Sequence, residues 1–229
     1  MNHPPVEIIK ILGRMPYASN ATLLGQDADD RLWVYKPDRG ESPLWDFTLG
    51  TLATREVLAF EVNQAMGLDL IPPTFEASGV YGSGSAQAYL DEDTDFDPRP
   101  WFEDPIDPML WPFAVFDVIA NNADRKVGHL LKEVETGRVW GIDNGLTFHP
   151  ADKLRTVLWG FAGQRIPDDL IVAAERLRSV IDGDLGDRIC RLLGDVELDA
   201  LVRRIEHVID TKTHPLPPLD RPAVPWPMW

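Results

Sequence analysis

The pattern of hydrophobic and polar positions splits the chain in two, with strand-like runs up to about residue 90 and helical spacing after about residue 108. Val6 to Met15 alternates loosely between Pro4-Pro5 and Pro16 and reads as a first strand. Tyr17-Ala18-Ser19-Asn20 is a polar turn, and Ala21 to Leu24 resumes as a second strand. Gln26 to Asp30 is an acidic turn, and Arg31 to Lys36 alternates as a third strand ending at Pro37. A polar connection follows over Asp38 to Gly50. Thr54 is then placed to cap a helix running to Met66, with Gly67 as its stop and Leu58, Val62, Ala65 and Met66 as its apolar stripe. Leu70 to Phe75 reads as extended, Gly79 to Ser85 as a glycine-rich turn, and Ala86 to Leu90 as a short strand.

Asp91 to Pro108 is acidic and proline-rich, the composition of a solvated connection. Met109 to Ala120 is apolar on most sides and reads as a buried helix with Pro112 in its first turn. Leu130-Leu131 and Val139-Trp140, around Glu135-Thr136-Gly137, predict a hairpin. Three amphipathic helices follow: one capped by Asp168 and running to Ile181, then Leu185 to Leu193, then Glu197 to Asp210. From Pro215 the chain is rich in Pro, carries two Trp, and reads as an extended strap or a disordered end. The expected class is α+β, with a β-rich lobe carrying one helix (1–90), an acidic linker (91–108) and a helical lobe (109–214), as one domain with a tail (215–229).

Composition narrows the partners. The chain of 229 residues has 37 acidic against 22 basic residues and a net charge of -15. That balance repels nucleic acid and anionic lipid surfaces, and no local basic patch offsets it. The single Cys190 falls in a helical pattern and reads as a small buried hydrophobe. There is no signal-peptide order and no apolar run of bilayer length, so the expected location is cytoplasmic.

The chemistry concentrates in Asn121-Asn122-Ala123-Asp124-Arg125-Lys126-Val127-Gly128-His129 and in Gly141-Ile142-Asp143-Asn144-Gly145. Phosphoryl transfer from a nucleotide needs an acid to orient the attacking hydroxyl and ligands for the metal on the phosphates. Asp124 suits the first role, and the cation beside it, Arg125, favours its ionised form. Asp143 is a hard ligand for a hard cation, whereas an imidazole at His129 suits Mn²⁺ better than Mg²⁺. A strand Lys held by a helix Glu aims an ammonium at the phosphates in kinase-like folds. Lys36 and Glu56 match that in order and element type, with Glu61 as the competing carboxylate. The Ser19-Asn20 turn can place backbone N–H groups and a hydroxyl over a triphosphate.

These residues resemble the catalytic segment of the phosphatidylinositol 3-/4-kinase-like branch of the protein-kinase-like superfamily, and a group of actinobacterial proteins described as kinase-like. The resemblance runs from about Gly13 to about Asp210. It implies a bilobal fold, ATP and a divalent metal (Mg or Mn), Asp124 as catalytic acid and Asp143 as metal ligand, with His129 standing where the family has a metal-binding Asn. It also implies Lys36, Glu56, Ser19 and Asn20 at the nucleotide. The acceptor is expected to be a protein or small-molecule hydroxyl, since the negative charge disfavours a phosphoinositide. A nucleotide-binding module without turnover, and AMP transfer on the same fold, are the alternatives.

Overall fold

The computed structural model describes residues 3–15 and 21–229. Ser19 and Asn20, expected over a triphosphate, lie outside the described residues.

The first lobe is a six-stranded sheet in the order β1 (Val6–Ile8), β5 (Thr74–Gly79), β6 (Gly82–Ala88), β4 (Leu32–Pro37), β3 (Leu23–Gln26), β2 (Lys10–Arg14), with one helix, α1 (Leu52–Ala65), against it. The expected strand Val6 to Met15 is broken at Ile9 into β1 (Val6–Ile8) and β2 (Lys10–Arg14). The first half pairs in parallel with β5 (Thr74–Gly79) and the second half antiparallel with β3 (Leu23–Gln26). One continuous stretch therefore supplies both edges of the sheet and curls it back on itself. Gly25 makes room for this closure, since a Cβ there would meet Ile8 at 2.6 Å. The third strand, β4 (Leu32–Pro37), buries Trp33 and Tyr35 while Lys36 leaves from the opposite face.

The glycine-rich turn expected over Gly79 to Ser85 is mostly strand. β6 (Gly82–Ala88) starts at Gly82 and pairs with β4 and β5, so only a tight reversal separates β5 from β6. Its small residues answer a close approach: a Cβ at Gly84 would lie 2.2 Å from the Lys36 carbonyl.

α1 (Leu52–Ala65) begins two residues before Thr54, and neither Thr54 nor Thr51 caps it with a side chain. Glu41 does so from the preceding loop, accepting from Ala53 N at 3.1 Å and Gly50 N at 2.7 Å. Glu56 consequently falls in the second turn of the helix. Gly67 stops the helix at φ +70°, as its sequence position implies.

In the second lobe, α2 (Trp111–Ala120) is buried along nearly its whole length. α3 (Asp168–Val180), α4 (Asp184–Leu192) and α5 (Asp195–Thr211) pack around it. Pro167, not Asp168, is the N-cap of α3, and Asp168 instead pairs with Arg165. The hairpin forms as expected, from β7 (Leu130–Lys132) and β8 (Val139–Gly141) with Gly137 at φ +68°. Cys190 is exposed rather than buried, on the outer face of α4. The main core unites α1 (Leu58, Val62) and its C-cap Met66 with α2 to α5, so the helix of the first lobe packs as part of the second. Among the described residues no helix is long and apolar enough to cross a membrane.

Candidate active site

α1 and β4 bring Lys36 and Glu56 together: Lys36 Nζ donates to Glu56 Oε1 at 2.6 Å. The same ammonium donates to Asp143 Oδ1 at 2.7 Å, linking the sheet, α1 and the segment after β8 in one chain of charge. Glu56 is buried, whereas Asp143 keeps about half of its side chain open to solvent. Burial alone would lower the Lys36 ammonium, but Asp143 and then Glu56 outweigh it and raise its pKa. Lys36 in turn holds the Asp143 carboxyl well below the usual carboxylate range. Glu61, the competing carboxylate, faces away and accepts from Arg188 of α4 at 3.0 Å. Gly145 keeps this junction tight, because a Cβ there would meet Glu56 Oε1 at 3.4 Å and Leu52 O at 3.3 Å. Asp143 itself sits at φ +59°, a left-handed conformation that Asp tolerates better than most residues.

Arg125 does not serve Asp124. Its side chain is fully buried and turned to Asp117 of α2, with Nε and Nη2 donating to that carboxylate at 3.0–3.1 Å. Further bonds run from Nη2 to Asn144 Oδ1 (2.7 Å) and from Nη1 to Ile142 O (2.9 Å). Asn122 and Thr156 complete the set around Asp117. The network ties α2, the loop of Asp124 and the loop of Asp143 into one rigid piece. The cation beside Asp124 is Lys126, with Nζ 3.2 Å from Oδ2. Burial raises the Asp124 pKa, and Lys126 opposes that rise. Asp117 was the sequence clue to this arrangement: a lone acid within the apolar run Phe113 to Ala120 needs a buried cation.

His129 lies beside Asp143, Nε2 to Oδ2 3.4 Å. Its Nδ1 accepts from Lys126 N at 3.4 Å, so the neutral ring carries its proton on Nε2, facing Asp143. Burial holds the imidazole at about 4, hence neutral. Asp143, open and ionised, fits a divalent cation; His129 fits one only if the ring proton moves to Nδ1 and the Lys126 contact is given up. Among the described residues no group of three or more His, Cys, Asp or Glu is placed to hold a metal by itself, so any cation here takes further ligands from elsewhere.

No protein-family model matches the chain. In structure it is similar to the Helicobacter pylori proinflammatory kinase CtkA, with a TM-score of 0.56 and 14% identity over 92% of this chain and 95% of that one. It also superposes on the Golgi casein kinase with Mn/ADP bound, with a TM-score of 0.49 and 12% identity over 91% of this chain and 73% of that one. The likeness to CtkA identifies the α+β, two-lobed architecture as a kinase-like fold. In sequence the chain is 37% identical to Protein Rv2133c of Mycobacterium tuberculosis, over 96% of this chain and 91% of that protein. The chain belongs to the family of Protein Rv2133c.

Proposed function

We propose that the chain is an ATP-dependent phosphotransferase of the phosphatidylinositol 3-/4-kinase-like type, acting on a protein or small-molecule hydroxyl. The observation that carries this is the double ion pair of Lys36 with Glu56 and Asp143, which sets an ammonium against a half-exposed carboxylate that acts electrostatically on Asp124. Lys36 neutralises the nucleotide phosphates, with Glu56 holding it in place. Asp124 orients the acceptor hydroxyl, whose oxygen bonds to the γ-phosphorus as the bond to the β,γ-bridging oxygen breaks. ADP leaves, and the hydroxyl proton passes to Asp124. Lys126 steadies Asp124 and offsets charge on the transferred group. Asp143, with His129 in its other tautomer, would hold Mg²⁺ or Mn²⁺, which supplies charge neutralisation on the phosphates.

Incubation with γ-labelled ATP and either metal, alone and with lysate, tests the reading. Label on an acceptor supports it, and label from the α-position instead points to AMP transfer. A nucleotide-binding regulatory module is the second reading, favoured by the His129 tautomer that turns an N–H toward Asp143. Thermal stabilisation by ATP with no transfer in either metal would select it.

A further inference from the structure

The proline-rich tail is neither free nor packed on a remote face: it lies along the loops of the candidate active site. Segment 155–157 pairs with Arg125 on one side, through Arg125 N to Arg155 O and Val157 N to Arg125 O, both 3.1 Å. On its other side Thr156 N donates to Ala223 O at 3.1 Å. The same carbonyl accepts from Trp159 Nε1 at 2.7 Å. Arg221 fixes the strap upstream, donating to Leu154 O at 3.0 Å and pairing with Asp152 at 2.7 Å. Downstream, Met228 O accepts from Val127 N at 2.9 Å, three residues beyond Asp124. The strap bends repeatedly between residues 219 and 227, and at Ala223 and Met228 it is held through its main-chain carbonyls, contacts that do not depend on the side chains at those two positions. From His214 to Trp229 the strap contains no Ser, Thr or Tyr, so it offers no hydroxyl to phosphorylate.

We infer that the surface presenting the Thr156 and Val127 amides is a docking site for a peptide acceptor, and that the tail is its built-in, hydroxyl-free occupant. This rests on the phosphotransferase reading and adds the acceptor class and its competitor. A peptide in trans must displace the strap, whose tether gives it an effective concentration of order millimolar.

Placing a hydroxyl in the strap tests the inference. Val224→Ser, Trp226→Ser and Met228→Ser, each at an exposed position, are incubated with ATP and weighed. At least one should gain a phosphate at a rate independent of protein concentration, with the hydroxyl oxygen bonded to the γ-phosphorus, ADP released and the proton taken by Asp124. Separately, Arg221→Ala should speed hydrogen exchange at the Thr156 and Val127 amides and lower KM for a degenerate Ser-peptide library about tenfold. The inference is overturned if all three Ser variants stay unmodified while phosphorylating the free library. It is equally overturned if Arg221→Ala frees the amides without lowering KM, since the strap is then a brace. If ATP binds none of these proteins, the phosphotransferase reading itself fails and this one falls with it.

Discussion

Arg125 and Lys126 are neighbours in sequence with opposite surroundings, and their substitutions should separate cleanly. Arg125→Leu strands the Asp117 carboxylate in the core, a change expected to cost about 3–5 kcal/mol in urea unfolding. Lys126→Leu removes a cation that remains partly exposed, so stability should move by less than about 1 kcal/mol while phosphate transfer falls. Equal destabilisation by both would mean that the buried network is misassigned. At His129 the two roles also diverge. If the ring ligates the metal, His129→Asn supplies an oxygen and the Mn²⁺/Mg²⁺ ratio of nucleotide affinity falls. If it only orients Asp143 through Nε2–H, that ratio stays put while Asp143 loosens. The sequence showed which residues gather here but not which cation faces which acid. Adjacent side chains on a loop can point to opposite sides, and only the buried demand of Asp117 decides that Arg125 turns inward.

At the level of elements, the helices and the β7–β8 hairpin were legible because their periodicity and their Gly137 turn carry strong local signals. Three features were not. The start of α1 is set by Glu41, a cap contributed from eleven positions upstream of Leu52, so no local Ser or Thr marks it. The break at Ile9 follows from the curl of the sheet, a tertiary constraint with no local marker. β6 hides because Gly82-Ser83-Gly84-Ser85 has the composition of a turn, yet those residues are small to let the strand approach β4. Gly84→Ala tests that explanation. Its Cβ would press on Lys36 O and on Pro37 Cα at 2.8 Å, both main-chain atoms that cannot swing aside. We expect a loss of about 1–3 kcal/mol, together with weaker ATP binding because Lys36 shifts with its strand. Ser83→Ala, one residue away and exposed, should leave nucleotide affinity unchanged. Unaltered stability in Gly84→Ala would show that β4 and β6 are not held at this register.

Over the whole molecule, α1 shares its main core with α2 to α5, so the sheet lobe is tied to the helical lobe by more than the cleft contacts. Arg188 of α4 adds to this by bridging Glu61 of α1 and Glu76 of β5. Unfolding should therefore be one transition, with fluorescence and far-ultraviolet circular dichroism giving the same urea midpoint. That single transition makes acid sensitivity readable. His214 is 1% exposed, sits edge-on between the rings of Trp111 and Trp159, and donates from Nδ1 to Pro215 O at 3.1 Å. Burial pushes its pKa down to about 4, with the Pro215 carbonyl opposing the fall. The unfolded chain, with His near about 6.5, takes up the proton first, so acid favours unfolding. The stability tied to a neutral His214 is complete above about pH 6.5 and declines as pH falls toward 4. Between pH 7 and 5.5 this amounts to about 1 kcal/mol, in a range above most carboxylate titrations. His214→Phe keeps a ring between the two Trp and removes the proton site. Its unfolding free energy should fall less than that of the wild type over this interval, by about 1 kcal/mol. The neutral imidazole of His129, lowered in the same way, remains in both proteins and cancels from the difference. Parallel pH profiles for the two would mean that His214 is protonated as easily in the fold as outside it, and that its place between the Trp rings is open to water.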